Sequence, residues 1–364
     1  MEKSVRVPFA GKIKNLPFGK IVACVAITAF MVMMLIKPDY YLNSARRGLS
    51  LYATSVLPSL FPFYFFSLLL TYIGSAKVVS GVFQKPVKLL YNAPKESAYV
   101  LLLSMLSGYP VGASMTAELY KAGSISQKEA KSIAAFASTS GPIFMLGTVG
   151  SAVFNDLKIG VIILIAHYVS ALLNGIIFRV RRTNTNNERY VGADVDSKKR
   201  RSPFAKSKRL SRVNDSSPTD DVRITSTEDH DSIMSRTIAN STLAMLYVGG
   251  YIVICGMLVD TLALFNVDTL ILSALGERAG QPIVALLSGL IEMTRGSIAC
   301  SQCSMKNLGV ALCAGIISFG GLSVTLQNYT FLSKCNMKFG EIILRKLLQS
   351  LIAFAVAFGL SFMP

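Results

Sequence analysis

The sequence contains no His-Glu-x-x-His pair, no Gly-x-Ser-x-Gly elbow, no glycine-rich dinucleotide fingerprint and no Gly-x-x-x-x-Gly-Lys loop followed by Ser or Thr. Each absence removes a chemistry: zinc proteolysis, serine hydrolysis, dinucleotide-dependent redox and nucleotide hydrolysis all need those residues at those spacings. No enzymatic activity and no cofactor are expected. Without a phosphate-cradling loop, any movement of a solute would be driven by a gradient or be passive. Histidine is scarce, with 2 in the chain, and His167 is the only one in apolar sequence. Acidic residues are also few, 20 against 37 Lys and Arg.

A disulfide or metal framework is lacking as well. The 6 cysteines (Cys24, Cys255, Cys300, Cys303, Cys313 and Cys335) lie in or beside apolar segments without regular spacing. Cys300-x-x-Cys303 has no second pair and no nearby histidine to complete four ligands, so no metal is expected and packing is the favoured role.

What the chain does contain is apolar sequence: 52% hydrophobic residues over 364 positions and a mean hydropathy of +0.49. That is too apolar for an ordinary soluble protein of this size and defines an integral membrane protein. The formal net charge of +17 would suit a nucleic-acid binder if it were spread over one surface. Instead, Arg179 to Arg212 alone holds twelve basic residues against three acidic ones, in polar sequence without periodicity. The remaining excess sits in short segments between spans, as expected of cytoplasmic loops, and no nucleic-acid partner is predicted.

The segments sort as follows. Residues 1–20 form a basic cytoplasmic N-terminus, and 21–36 a first span of about 24 Å, slightly short of a hydrocarbon core of about 30 Å. Snorkelling by Lys20 and Lys37 covers the difference, and an uncleaved span is favoured over a signal peptide. A first repeat is assigned to 48–182, a disordered basic then acidic linker to 183–232, and a second repeat to 233–364. Within the first repeat, Leu51 to Ile73 crosses, with Pro58 and Pro62 expected to kink it or to let a short interfacial helix precede it. Two pieces, Ala98 to Leu106 and Val111 to Tyr120, are each too short to cross and suit a re-entrant hairpin. Ala134 to Phe154 is a discontinuous helix, and Lys158 to Val180 crosses back. In the second repeat, a span over Leu243 to Phe265 leads to an external segment ending at Pro282. A second hairpin then starts at Ile283, Leu308 to Tyr329 is a second discontinuous helix, and Ile342 to Phe362 is the last span. Lys334, Lys338, Arg345 and Lys346 are read as marking the cytoplasmic side.

Four interruptions of apolar sequence are the candidate site. They comprise Ser107, Gly108, Tyr109, Pro110 and Gly112; Ser138, Thr139, Ser140 and Gly141, before Pro142; Glu292, Thr294, Arg295 and Gly296; and Ser318, Gly320, Gly321 and Ser323. Backbone freed at membrane depth is tolerated only where protein or a polar cavity satisfies it, and half-helix N-termini attract anions. Gly108-x-x-x-Gly112 suits close helix packing equally well. Ser104 and Gly112 lie 184 residues before Ser288 and Gly296, and Ser140-Gly141 and Gly160 lie 180 residues before Gly320-Gly321 and Gly340. A register held over three segments indicates an internal duplication, and corresponding broken segments in two halves point to a transporter site. Glu292 and Arg295 are three apart; an internal ion pair is expected, with Arg295 holding a substrate carboxylate as the alternative. Glu118 and Asp260 are expected in solvated positions, and His167 in a satisfied core role.

Ser-Gly-Tyr-Pro-Val-Gly-Ala (107–113), the run 135–144, Gly-Leu-Ile-Glu-Met-Thr-Arg-Gly (289–296) and Ser-Phe-Gly-Gly-Leu-Ser (318–323) resemble the sporulation integral membrane protein YlbJ family. That family belongs to the nucleoside-recognition or Gate domain group, with concentrative nucleoside transporters and the membrane part of ferrous iron transporters. The resemblance covers nearly the whole chain outside the linker. It implies an all-α polytopic membrane protein of inverted-topology repeats, with two re-entrant hairpins and two discontinuous helices. It further implies a multi-pass protein of the bacterial cell membrane with a cytoplasmic N-terminus, and, in an endospore former, an outer forespore membrane protein exporting dipicolinate from the mother cell. The expected partners are the lipid bilayer and a small polar or anionic solute, a dicarboxylate among the candidates; self-association is left open. A nucleoside or other heterocyclic metabolite is the alternative substrate, and a non-transporting scaffold or gate subunit is the rival from another class.

Overall fold

In the computed structural model, which describes residues 18–73, 76–180 and 228–363, every regular element is helical. Helix α1 (Phe18–Ile36) is apolar on all sides and exposed on all sides. That combination is stable only against lipid. It touches the rest of the protein near its end, where Phe30 meets the ring of Tyr41 edge-on at 5.6 Å.

α2 (Pro38–Leu51) runs through a π-helical turn, Tyr52–Val56, into α3 (Leu57–Ile73), giving one continuous helical path with no separate interfacial helix before it. The π-turn falls where Pro58 withdraws the N–H that would have bonded to Thr54, so the extra residue absorbs the defect. After α4 (Ala76–Tyr91), α5 (Glu96–Ser107) and α6 (Val111–Lys121) form the first hairpin. α7 (Gln127–Phe136) starts at a capping box, Ser126 accepting the Glu129 N–H while the Glu129 carboxylate accepts that of Ser126. After the non-helical 137–141, the chain continues through a π-helical segment, Phe144–Val153, and then α8 (Leu157–Ile177).

The second half begins with α9 (Glu228–Leu264), so residues 228–232, assigned above to the linker, are helical. The rest of that linker, like most of the basic N-terminus, lies outside the described residues. α10 (Val267–Ile291) is long and apolar enough to cross a membrane, but Gly276 (φ 73, ψ 163) folds it back on itself. A Cβ at Gly280 would lie 3.1 Å from Leu272 Cα, which a straight helix forbids. Pro282 is therefore inside the second arm and does not end an external segment. That arm and α11 (Met293–Ser301) form the second hairpin. α12 (Lys306–Phe319) and α13 (Gly321–Leu332) are the second broken helix, followed by a 3₁₀ turn and α14 (Phe339–Leu360). With α1, α2–α3, α8, α9, α12–α13 and α14 also long and apolar, the chain is a multi-pass membrane protein.

The two halves run through the same order of elements. With the offsets found in the sequence, α5 corresponds to the second arm of α10, α6 to α11, α7 to α12, the π-helical segment to α13 and α8 to α14. Hydrogen bonds follow the register: Gly108 N–H to Ser104 O and Glu292 N–H to Ser288 O are both 2.8 Å. Asn155 (φ 52) and Asn336 (φ 54) lie shortly before α8 and α14, one residue out of the 180 register, in the left-handed conformation that asparagine tolerates. α8, α12 and α14 pack together and join the halves.

Candidate functional site

The first hairpin ends where Gly108 takes φ 81, ψ −165, and a Cβ there would stand 2.5 Å from Gly141 N. Only glycine fits both the conformation and the contact. A cis Tyr109–Pro110 bond carries the chain into α6. The matching tip in the second half is extended instead, Glu292 having φ −139 and ψ 118. Its carboxylate caps α11, Oε2 accepting the Arg295 N–H at 2.8 Å. The carboxylate expected from a ligand at this helix start is thus supplied by the protein itself.

Tyr109, Ser140, Glu292 and Ser323, one residue from each interruption, line a single buried cavity with Gln327. Val56, Leu60, Phe144, Val248, Ile252, Met293 and Val324 complete its mostly apolar wall. Glu292 is 1% exposed, and its Oε1, like Ser323 Oγ, has no hydrogen-bond partner among the described residues. A carboxylate with one oxygen committed to a cap and one free can accept from a donor-bearing guest or take up a proton. As it stands the cavity holds about one water-sized guest.

Beside this cavity lies a polar network that ties the halves together. Lys346, on α14, is 3% exposed; its Nζ lies within hydrogen-bond distance of Tyr109 Oη (2.8 Å), Ser138 O (2.6 Å), Ser318 O (3.3 Å) and Gln349 Oε1 (3.3 Å). It also stands 4.4 Å from the Tyr109 ring centre. Tyr109 in turn donates its O–H to Ile317 O at 3.3 Å. His167, on α8, accepts the Ser140 N–H at Nε2 (2.8 Å) and faces Ser318 Oγ from Nδ1 (2.8 Å). Because a backbone N–H can only donate, Nε2 is bare and the proton sits on Nδ1, which donates to the serine. One imidazole thus bridges the two broken helices. Asn328 Nδ2 adds a bond to Ser138 Oγ at 3.0 Å.

Several expected site residues serve elsewhere. Ser107 turns to Ser67 Oγ (2.6 Å) on α3, and Thr139 Oγ1 to Ser104 Oγ (2.9 Å). Gly112 and Gly296 are points of backbone contact, a Cβ falling 1.5 Å from Ala137 O and 2.2 Å from Gly289 Cα. Pro110 shapes the turn, and Gly141, Gly320 and Gly321 make room at the breaks. Thr294 is buried within α11, which begins sooner after Glu292 than the sequence suggested. Arg295 does not pair with Glu292 through its side chain. Its guanidinium reaches Asp260 Oδ2 at 3.2 Å, and Arg47 reaches the same oxygen at 2.8 Å. Asp260, expected in solvent, is 8% exposed and also accepts from Ser44 Oγ. Glu118 is exposed as expected, and both nitrogens of His167 are partnered.

Lys346 was read from the sequence as a cytoplasmic marker, and Gln349, Asn174 and Gln327 were not singled out. The signal for the first two was in the helical spacing. The buried face of α14 is Ile342, Lys346, Gln349, Ala353 and Ala357, an i, i+4, i+7, i+11, i+15 stripe in which a lysine and a glutamine replace apolar residues. Among the described residues no group of three or more His, Cys, Asp or Glu is placed to hold a metal.

Fold and site together define an all-α polytopic membrane protein whose four helix interruptions converge on a buried cavity. Over 326 residues, 87% of this chain and 76% of the relative, it is 28% identical to the sporulation integral membrane protein YlbJ of Bacillus subtilis (strain 168). No family model and no solved structure matches it.

Proposed function

We propose that the protein is a secondary or passive transporter of a small polar or anionic solute, acting by alternating access around the cavity between its two halves. The observation that carries this reading is the convergence of Tyr109, Ser140, Glu292 and Ser323, one from each interruption, on one buried space with an unpartnered carboxylate oxygen. Broken helices around a central polar cavity are how membrane proteins expose backbone and charge to a solute without exposing them to lipid. By family resemblance the solute is dipicolinate and the setting the outer forespore membrane, the N-terminus facing the mother-cell cytoplasm. A nucleoside or related heterocycle is the second candidate solute.

The narrowness of the cavity favours a second reading, a scaffold or gate subunit that moves nothing. Uptake of labelled dipicolinate, with a labelled nucleoside control, into vesicles holding the purified protein separates the two. The expected result is saturable dipicolinate flux, cut at least about tenfold in Glu292→Gln, which keeps the helix cap's shape but removes the buried charge. Flux of neither solute through folded, correctly inserted protein would sink the transport reading.

A further inference from the structure

A second cavity lies on the far side of the Tyr109–Lys346 contact, between α7, α8 and α14. Lys346, Arg345, Gln349, Asn174 and Ser138 line it among apolar neighbours. Its chemistry is opposite to that of the Glu292 cavity. Lys346 is surrounded by neutral acceptors, and among the described residues no carboxylate pairs with it. Lysine can only donate, so Gln349 must turn Oε1 toward it, which leaves the amide NH₂ facing away. That Nε2, on a residue 1% exposed, is buried without a partner, and so is Arg345 Nε. Arg345 is held in place by its bond to Glu341 O (2.9 Å) and by the Phe178 ring at 4.7 Å. Two unpartnered donors beside a lysine that no carboxylate pairs with are costly unless an acceptor comes to them. Asn174 gives its Nδ2 to Ala135 O (2.8 Å), leaving Oδ1 as the one unpartnered acceptor there.

We infer that this cavity is an anion subsite that takes a carboxylate group of a small organic acid, the two carboxylate oxygens meeting Gln349 Nε2 and Arg345 Nε under the field of Lys346. As it stands the space takes no more than about one water, so the carboxylate group enters only as the lining side chains part, and Asn174 Oδ1 takes a donor carried by the rest of the guest or by its water. The subsite rests on the transport reading for the choice of guest, not for its chemistry.

The test is equilibrium dialysis of labelled dipicolinate against the full-length protein in detergent, with pyridine as the competitor that lacks carboxylates, alongside flux in vesicles. Gln349→Glu keeps an oxygen for Lys346 and replaces the free donors with a second carboxylate oxygen. Dipicolinate binding should weaken about tenfold or more in that variant, with an unchanged thermal midpoint showing that the protein is folded, and pyridine should not compete. Arg345→Gln serves as a second variant should the first fail to fold, with weakening in the same direction expected. Binding by folded Gln349→Glu within about twofold of the parent, or no binding by the parent at millimolar dipicolinate, overturns the subsite. Binding without flux would support the subsite while sinking transport. Parent flux that survives Gln349→Glu unchanged would leave transport standing and overturn the subsite.

Discussion

The two halves follow one path with different chemistry at equivalent points. Gly108 and Glu292 occupy the same place in the repeat, each donating its N–H to a serine carbonyl four residues back. The first half closes its hairpin against its broken helix backbone to backbone, Gly108 on Gly141, in a conformation with no room for a side chain. The second uses extended backbone at Glu292 and places the glycine conformation on the other partner, Gly321 (φ 65), whose missing Cβ leaves room for Ile291 O. Moving the left-handed residue from hairpin tip to helix break frees the tip to carry a carboxylate. The order of elements is shared, while the buried charged residues among those described, Asp260, Glu292 and Lys346, all lie in the second half.

The comparison is broken most severely at the tightest joint of the first half. In Gly112→Ala the new methyl would stand 1.5 Å from Ala137 O, a backbone atom that cannot rotate away. The expected cost is on the order of 4 kcal/mol or more, seen as loss of the monodisperse peak in detergent size-exclusion chromatography. Gly250→Ala, with nothing within 4 Å, should run with the parent. Equal behaviour of the two variants would mean that α6 and the first break do not meet as described.

A smaller effect is expected where the halves are latched together. Asp260 on α9 accepts from Arg295 of the second hairpin and from Arg47 and Ser44 of α2. Arg47 has half its side chain in solvent and contributes little by itself; Arg295, better buried, contributes more. Asp260→Ala leaves both guanidiniums without this partner and should cost about 1–3 kcal/mol, read as a lower thermal midpoint. In the parent, that midpoint should fall as salt rises at neutral pH; in Asp260→Ala the salt dependence should shrink. A midpoint unmoved by the substitution would remove the latch.

Much of this was legible in the chain. The interruptions at Gly108 and Gly320 stand out because glycine and proline within apolar runs have few other uses, and the offsets of 184 and 180 match the correspondence between helices. Less legible were contacts between distant segments. Arg295 sits three residues from Glu292, and spacing alone favoured a pair; nothing local shows that Glu292 is spent capping its own helix or that Asp260 arrives from α9. Lys346 was hidden by its neighbours, because Lys334, Lys338 and Arg345 make it look like one more member of a cytoplasmic cluster. Only the face of α14, not its composition, sets it apart. The fold at Gly276 was masked in a similar way, by apolar arms that together have the length of a span.

The smallest effects are expected at two glycines in equivalent positions of the halves. Gly141 and Gly321 lie 180 apart, each beside the tip of its own hairpin. A Cβ at Gly141 would meet Ser107 at 3.4 Å, ordinary contact, and its φ lies outside the left-handed region. At Gly321 the same atom would meet Gly289 O at 2.8 Å from a backbone with φ 65. Gly321→Ala should therefore lower stability by about 1–3 kcal/mol, whereas Gly141→Ala should fall within about 0.5 kcal/mol of the parent; thermal unfolding of the two variants in one detergent measures both. Equal losses would mean that the halves share strain as well as path. The expected inequality would place the backbone strain in the half that carries Glu292, with the first-half break left free of it.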